Sequence, residues 1–503
     1  MAQYLRPGVY VQETLNPTPQ TVGANSTSVA AFVGVNDRGP TSQATLISSW
    51  SQYTSLYGTW NSTASNDLPL AVYMFFANGG SQCYVTRVVH ADAVAASKVV
   101  NDRTADGGEP TLQINATSQG AWGNNINVTI QDSILAGYFD LIVYYNGTVD
   151  ANIVERFTGM SMTASDSRYA PSVINGSSNY IYVVDEASTA TGTPRNPIPG
   201  INVYLVSGVN GTTPTSSDIV GSIAFFDTIQ SSLILNIPGR TDATTVNGAL
   251  AYTINRGDVF VIIDGIADTV ANQLSLSATY TATSYGAVYY PQLIIPDPTL
   301  GLGSNLAATR QVGAGAAVAA LYTKTDASRG VFKAPAGLQS RLTGVVSVQP
   351  LTNANLDSLN SAVAPVNAIR YIPGSGVVVM GSRTLQPGYA TVYVPVRRSL
   401  IYLEKSLKEL TQFAIFEPND QALWRRLNAT VSTFLTSFWS QGGLSGAVPN
   451  QAFFVKVDAT NNTELTIANG EVHIEVGVAL QRPAEFVVIK IGQYDGGTTV
   501  TVA

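Results

Sequence analysis

The sequence has a single cysteine, Cys83, in 503 residues, and only two histidines, His90 and His473. One thiol excludes an intrachain disulfide framework. One cysteine and two distant histidines cannot build a structural zinc site. A Ser-His-Asp device needs a histidine to shuttle the proton, and none lies between Ile201 and Gly344. There is no Gly-Lys dipeptide, hence no phosphate-binding P-loop. Gly301-Leu302-Gly303 and Gly313-Ala314-Gly315 lack the third glycine of a dinucleotide fingerprint. Aspartates such as Asp264, Asp297 and Asp326 sit beside turns and read as turn or cap residues. No catalytic, cofactor-binding or metal-ligating residue is assigned.

Charge is also scarce. Asp, Glu, Lys and Arg make up 12% of the chain, about half the ~25% usual in soluble proteins. Such a surface suits a subunit that mostly faces identical copies, because buried charges must be paired. It equally suits an ordinary β-rich protein coated in Ser, Thr and Asn. The net charge of −7 argues against wrapping nucleic acid, which needs Lys and Arg to displace counterions. No apolar run approaches the ~18 residues of a membrane span. The opening Met1–Tyr10 has no basic region followed by an apolar stretch, so it does not read as a secretory signal. The expectation is a protein made and folded in a cytoplasm, where the Asn-x-Ser/Thr triplets at Asn61, Asn127 and Asn210 are composition only.

What is present alternates in texture. Pro7–Glu13 reads as a short strand, followed by a Pro- and Thr-rich linker over Thr14–Ser26. A strand ahead of a linker has no local partner, and its backbone groups must pair elsewhere in the chain or in a neighbour. Ser28–Val35 is a continuous apolar run expected as a buried strand, Leu68–Asn78 a helix closed by Gly79-Gly80, and Cys83–Val89 the next strand. Between about Asn101 and Gly200, segments such as Ile126–Ile130 and Phe139–Tyr145 sit among Asn-Gly turns, which predicts a β-rich insertion. From Ile201 to Gly344, candidate strands at Leu233–Ile237, Val259–Asp264 and Leu293–Ile295 alternate with helical stretches, which predicts a parallel sheet covered on both faces. Leucines at 400, 403, 407 and 410 predict a helix over Ser399–Phe413. Leu423, Leu427, Val431, Phe434 and Phe438 predict another over Asn419–Trp439, capped by Asn419 or Asp420. Strands follow at Ala452–Val457, Val472–Val478 and Phe486–Ile491.

Several stretches, in order along the chain, resemble contractile tail sheath proteins. They are Pro7–Glu13; Phe32-Val33-Gly34 with Arg38-Gly39-Pro40; Ala121-Trp122-Gly123-Asn124; Glu155-Arg156-Phe157; and Thr325-Asp326 with Arg329–Ala336. Asn367–Arg370, Pro373–Gly376, Gly381–Thr384, Tyr402–Ser406, Phe416–Asp420 with Leu423-Trp424, and Arg482–Phe486 follow. Ala368, Ser375, Met380 and Gly337 depart from the family pattern at turns.

The resemblance implies an α+β multidomain protein. Its arm and linker would be 1–26. A discontinuous α/β core domain would combine 27–100 with 345–481. A β-rich insertion would cover 101–200, a non-catalytic subtilisin-like α/β domain 201–344, and a C-terminal arm 482–503. It further implies a structural subunit that polymerises as stacked hexameric rings around an inner tube in a metastable extended state. The sheath then contracts to drive the tube through a target cell envelope. The arms, with Val9, Tyr10 and Val11 at one end and Phe486, Val487, Val488 and Ile489 at the other, would add to a neighbour's sheet. Trp424, Arg425 and Arg426 are the candidate tube-facing residues. The implied partners are copies of itself, an inner tube protein, and baseplate and terminator or neck proteins, with neither nucleic acid nor membrane insertion. The implied location is a virion tail assembled in a host cytoplasm, and no cofactor is implied. The alternatives are a hydrolase built on the subtilisin-like domain and a static virion or adhesin subunit.

Overall fold

The computed structural model describes residues 29–60, 67–104, 108–298, 308–386, 388, 390–486, 494–495 and 498–499. Its contacts divide the chain into two units. One takes Ser26–Ala327 with Pro335–Pro387; the other includes Ser328–Ala334 and the chain from Gly388 onward.

The first unit is organised by an eight-stranded sheet. Its middle strands, from one side to the other, are Val366–Ile372, Gly286–Tyr290, Val259–Asp264, Leu233–Asn236, Val29–Val35 and Cys83–Val88, all parallel. Gly376–Val379 and Thr45–Ile47 close the two edges antiparallel. Parallel strands buried on both faces need near-continuous apolar sequence, and VAAFVGV and VFVIID supply it. Ala31, Val33, Leu235, Val261 and Ile263 face one helical layer with Ile219, Val246 and Leu250. Alternate residues face the other, where Phe32 meets Phe75 edge-on at 5.4 Å and the Tyr289 and Tyr322 hydroxyls lie 2.5 Å apart.

This sheet takes strands from 27–100, from 201–344 and from 345–481. The expected boundaries assigned the first and last of these segments to one domain and the middle to another. Sequence texture does not reveal the pairing, because parallel neighbours are joined by long crossovers and need not be close in sequence. Leu293–Pro296, expected with the parallel strands, pairs antiparallel with Thr309–Val312 and Ser347–Val348 in a small separate sheet. Gly286–Tyr290, which was not expected, takes its place beside Val259–Asp264.

A β-rich lobe interrupts the sheet. The chain leaves after Cys83–Val88 and returns before the helix Ser216–Ile223, and Val94 bridges Val209 where the two passages meet. The lobe packs two antiparallel sheets on a core of Leu112, Ile114, Ile126, Val128, Leu141 and Val183. One sheet is Ile201–Tyr204, Ile126–Asp132, Phe139–Tyr145 and Ile153–Met160; the other is Ser97–Asn101, Pro110–Ala116 and Ile181–Asp185. Two buried arginines join lobe and sheet. The Arg38 guanidinium lies over the Tyr180 ring at 4.6 Å and near those of Trp122 and Tyr145. Arg87 donates to four main-chain carbonyls, of Asn36, Asp37, Gly39 and Gln119.

Where the strand order reverses, between the carboxyl ends of Val29–Val35 and Leu233–Asn236, parallel sheets commonly bind ligands. Here that end is filled from within. The buried Asp264 carboxylate accepts from the Gly239 amide at 3.0 Å and the Gly315 amide at 2.6 Å, capping the helix Gly315–Arg329. A side chain at Gly315 would meet Asn236 at 2.2 Å, so only glycine fits. Burial pushes the Asp264 carboxyl up to about 6, while the two amides pull it down.

Candidate assembly interface

In the second unit, Pro395 opens the helix Val394–Leu410 in its first turn. The chain turns through Gln412–Ala414 to Phe416, which is 88% exposed and held at φ 65°. The Asp420 side chain then accepts from the Ala422 and Leu423 amides, both at 2.9 Å, and caps the helix Gln421–Ser440. This helix buries Val431, Phe434, Leu435 and Phe438 in a core shared with Val331, Leu403 and Phe453. Gly442 and Gly443 end it, Gly442 at φ 90°.

The strands Phe453–Lys456 and Glu475–Val478 pair antiparallel in a sheet of two. Phe453, Val455, Val476 and Val478 pack on the helical core, so one face is anchored. Among the described residues neither outer edge has a strand partner. The Asn428 amide donates to the Val455 carbonyl at 3.3 Å. A two-stranded sheet is marginal alone, and free edges are templates for further strands. Both strands were expected from sequence. Their openness was not, and the one available signal was that no third apolar strand stands near them before Phe486.

Of the expected arm residues, Val9, Tyr10, Val11, Val487, Val488 and Ile489 lie outside the described residues. Phe486 is described and is 70% exposed. Just before it, the Glu485 carboxylate accepts from the Tyr393 hydroxyl at 3.0 Å. The three candidate tube-facing residues separate. Trp424 is buried and donates through Nε1 to Asn419 at 2.8 Å, which makes it part of the helix's own packing. Arg425 and Arg426 are exposed. Arg425 reaches Gln421 at 3.4 Å, and the Arg426 guanidinium lies 4.2 Å over the Phe413 ring.

The two histidines do local work: His90 pairs with Asp92 at 2.7 Å and His473 with Glu471 at 2.9 Å. Among the described residues no cluster of His, Cys, Asp and Glu could hold a metal ion, and no helix is long and apolar enough to cross a membrane.

Residues 390–493 match the family described as the phage tail sheath C-terminal domain. No curated protein sequence matches the chain. Among solved structures, the chain is similar to the sheath of the PVC extracellular contractile injection system in its contracted state. Identity there is 23%, over 98% of this chain and 99% of that one, with a TM-score of 0.58. The contracted helical sheath of the anti-feeding prophage gives 23% identity over 98% and 100%, with a TM-score of 0.60. A sheath tail protein from Listeria innocua gives 12% over 88% and 90%, also at 0.60. The segment 390–493 thus matches the phage tail sheath C-terminal domain family, and the chain has the fold of contractile-system sheath proteins.

Proposed function

We propose that the protein is the structural subunit of a contractile sheath, acting by assembly and change of shape rather than by catalysis. The observation that carries this reading is the two-stranded sheet Phe453–Lys456 and Glu475–Val478, open at both edges among the described residues, within the segment that matches the phage tail sheath C-terminal domain. An N-terminal strand around Val9–Val11 from one neighbour and a C-terminal strand around Phe486–Ile489 from another add to it. Main-chain hydrogen bonds then give strength, and alternating side chains give register. Hexameric rings linked in this way stack around an inner tube and hold an extended, metastable state. Contraction rotates the domains as rigid bodies while the strands hold. A difference of ~1–3 kcal/mol per subunit between two packings, summed over many copies, drives the tube through an envelope with no nucleotide consumed. Arg425 and Arg426 face the tube and meet acidic groups there. Baseplate and terminator proteins close the two ends of a virion tail assembled in the host cytoplasm.

The test is electron microscopy of purified protein beside two truncations, one lacking residues before Ser26 and one lacking those after Arg482. Hollow tubes or rings from the parent, and folded monomers from both truncations, are expected. Globular parent protein, or truncated protein that still forms ordered sheath, overturns the reading. The competing hydrolase reading would require peptide or ester cleavage by the pure protein.

A further inference from the structure

The two-stranded sheet of the second unit differs on its two sides. In an antiparallel pair, residues alternate between positions whose main-chain groups bond across the pair and positions whose groups point outward. The Ala479 amide donates to the Ala452 carbonyl at 2.9 Å, which sets the phase. Phe454 with Gly477, and Lys456 with Glu475, therefore bond across. Phe453 and Val455 on one strand, and Val476 and Val478 on the other, turn their amides and carbonyls outward.

On the Phe453–Lys456 side, two of these outward groups are already taken. The Phe453 amide donates to the Pro449 carbonyl. The Val455 carbonyl accepts from the Asn428 side-chain amide at 3.3 Å, and the Asn428 oxygen accepts in turn from the Ser432 hydroxyl at 3.0 Å. The Asn428 amide thus stands where a donor from a further strand would stand. On the Glu475–Val478 side, the outward amides and carbonyls of Val476 and Val478 have no partner among the described residues.

We infer that strand addition to this sheet is ordered. The C-terminal stretch of a second copy joins the Glu475–Val478 edge first, and Asn428 keeps the Phe453–Lys456 edge shut until a later strand displaces it. The inference rests on the sheath reading and adds to it an edge, an order and a gating residue. Three observations fit the C-terminal stretch to the open edge. The Val476 and Val478 side chains pack on the helical core, so a strand beside them needs an apolar residue at every second position. Val487, Ile489 and Ile491 recur at that spacing. The intervening Lys490 then shares the outer face with the exposed Glu475. The chain's own stretch starts elsewhere, because Glu485 is tied to the Tyr393 hydroxyl at 3.0 Å. Tyr393 lies about 14 Å along the helix from Tyr402, the first residue of that helix to pack on the core that holds Val476.

Amide exchange read by mass spectrometry compares the free full-length subunit with its polymer. The Val476 and Val478 amides should exchange freely in the subunit and roughly 100-fold more slowly in the polymer. Protection already present in the subunit, or none gained in the polymer, removes the open edge. Glu475→Cys with Lys490→Cys identifies the strand, since the native Cys83 is buried. A short bismaleimide should give a ladder of covalent oligomers from polymer of this pair and none from either single variant. An intrachain link, or no link, overturns the assignment. The gate is tested by Asn428→Ala and by the near-isosteric Asn428→Asp, which lacks the amide donor but still accepts from Ser432. Both should keep the parent's Tm and shorten the lag before tubes appear several-fold, as the loss of one hydrogen bond to be broken allows. An unchanged lag in both removes the gate alone. Parent protein that forms no polymer removes the sheath reading, and the inference with it.

Discussion

Arg87 offers the sharpest test of how the lobe is held. Its side chain is 2% exposed, and among the described residues its hydrogen bonds go to main-chain carbonyls. Nε donates to Asn36 at 2.7 Å, Nη1 to Gly39 at 3.1 Å, and Nη2 to both Asp37 and Gln119 at 2.8 Å. Three of these carbonyls belong to the loop after Val29–Val35, and the fourth to the lobe. Burial pulls the guanidinium down to about 10, still charged at neutral pH. In Arg87→Lys the charge stays, but a single ammonium cannot span carbonyls that the planar fork reaches from several sides. At least two of the four bonds are lost. At ~1.5–3 kcal/mol for each bond to a charged group, the cost is roughly 3–6 kcal/mol, a large part of the 5–15 kcal/mol that stabilises a typical protein. Arg87→Met relieves the buried charge but leaves the carbonyls unpaired, so it is destabilising too. The assay is urea unfolding followed by tryptophan fluorescence, with limited proteolysis reporting cleavage near Asp92 and Asn210. A Lys variant within 1 kcal/mol of the parent, with unchanged proteolysis, would refute the reasoning.

Three further outcomes are expected. Asp264 titrates at about 6 in the fold, above its unfolded value of about 4, so the fold binds this proton more tightly. Its contribution is at its most favourable below about pH 4 and falls by up to about 3 kcal/mol as pH rises to 6. Tm measured across that range should lose this slope in Asp264→Asn, and an unchanged slope counts against it. Joining Asp92 directly to Asn210 should leave the eight-stranded sheet folded by circular dichroism, whereas joining Asp92 to Gly344 removes three of its central strands and should not fold. If Arg425 and Arg426 face an inner tube as proposed, Arg425→Ala with Arg426→Ala should assemble but hold that tube with less salt sensitivity; an unchanged salt response argues for a merely solvated helix face.

Much of this was legible residue by residue. Val259–Asp264 and Phe139–Tyr145 form as expected, because unbroken apolar runs and β-branched residues fix strands locally. The Asp420 cap and the Leu427–Phe438 stripe also follow from short-range rules. Domain membership did not, since the partner of Val29–Val35 is chosen by shape and burial across the sheet, not by neighbouring residues. Leu293–Pro296 shows the limit: its composition suits a parallel strand, but it pairs antiparallel elsewhere. At the candidate interface, the burial of Trp424 was hidden by its neighbours. The pattern Trp-Arg-Arg reads as one surface, while helical spacing turns the ring inward and both guanidinium groups out.

The order of strands also governs how the chain can be made. Val29–Val35 lies near the middle of the sheet, yet one of its two partners, Leu233–Asn236, is synthesised only after the whole β-rich lobe. Until then an apolar strand stands with one edge unpaired, and the edge strand Gly376–Val379 arrives later still. Such non-local pairing is slow to fold and exposed to aggregation. The lobe, whose strands pair mostly with near neighbours in sequence, can fold in the interval. Expression conditions that supply holding chaperones should therefore raise the soluble yield of this protein, and its first vulnerable surface on the ribosome is the run VAAFVGV.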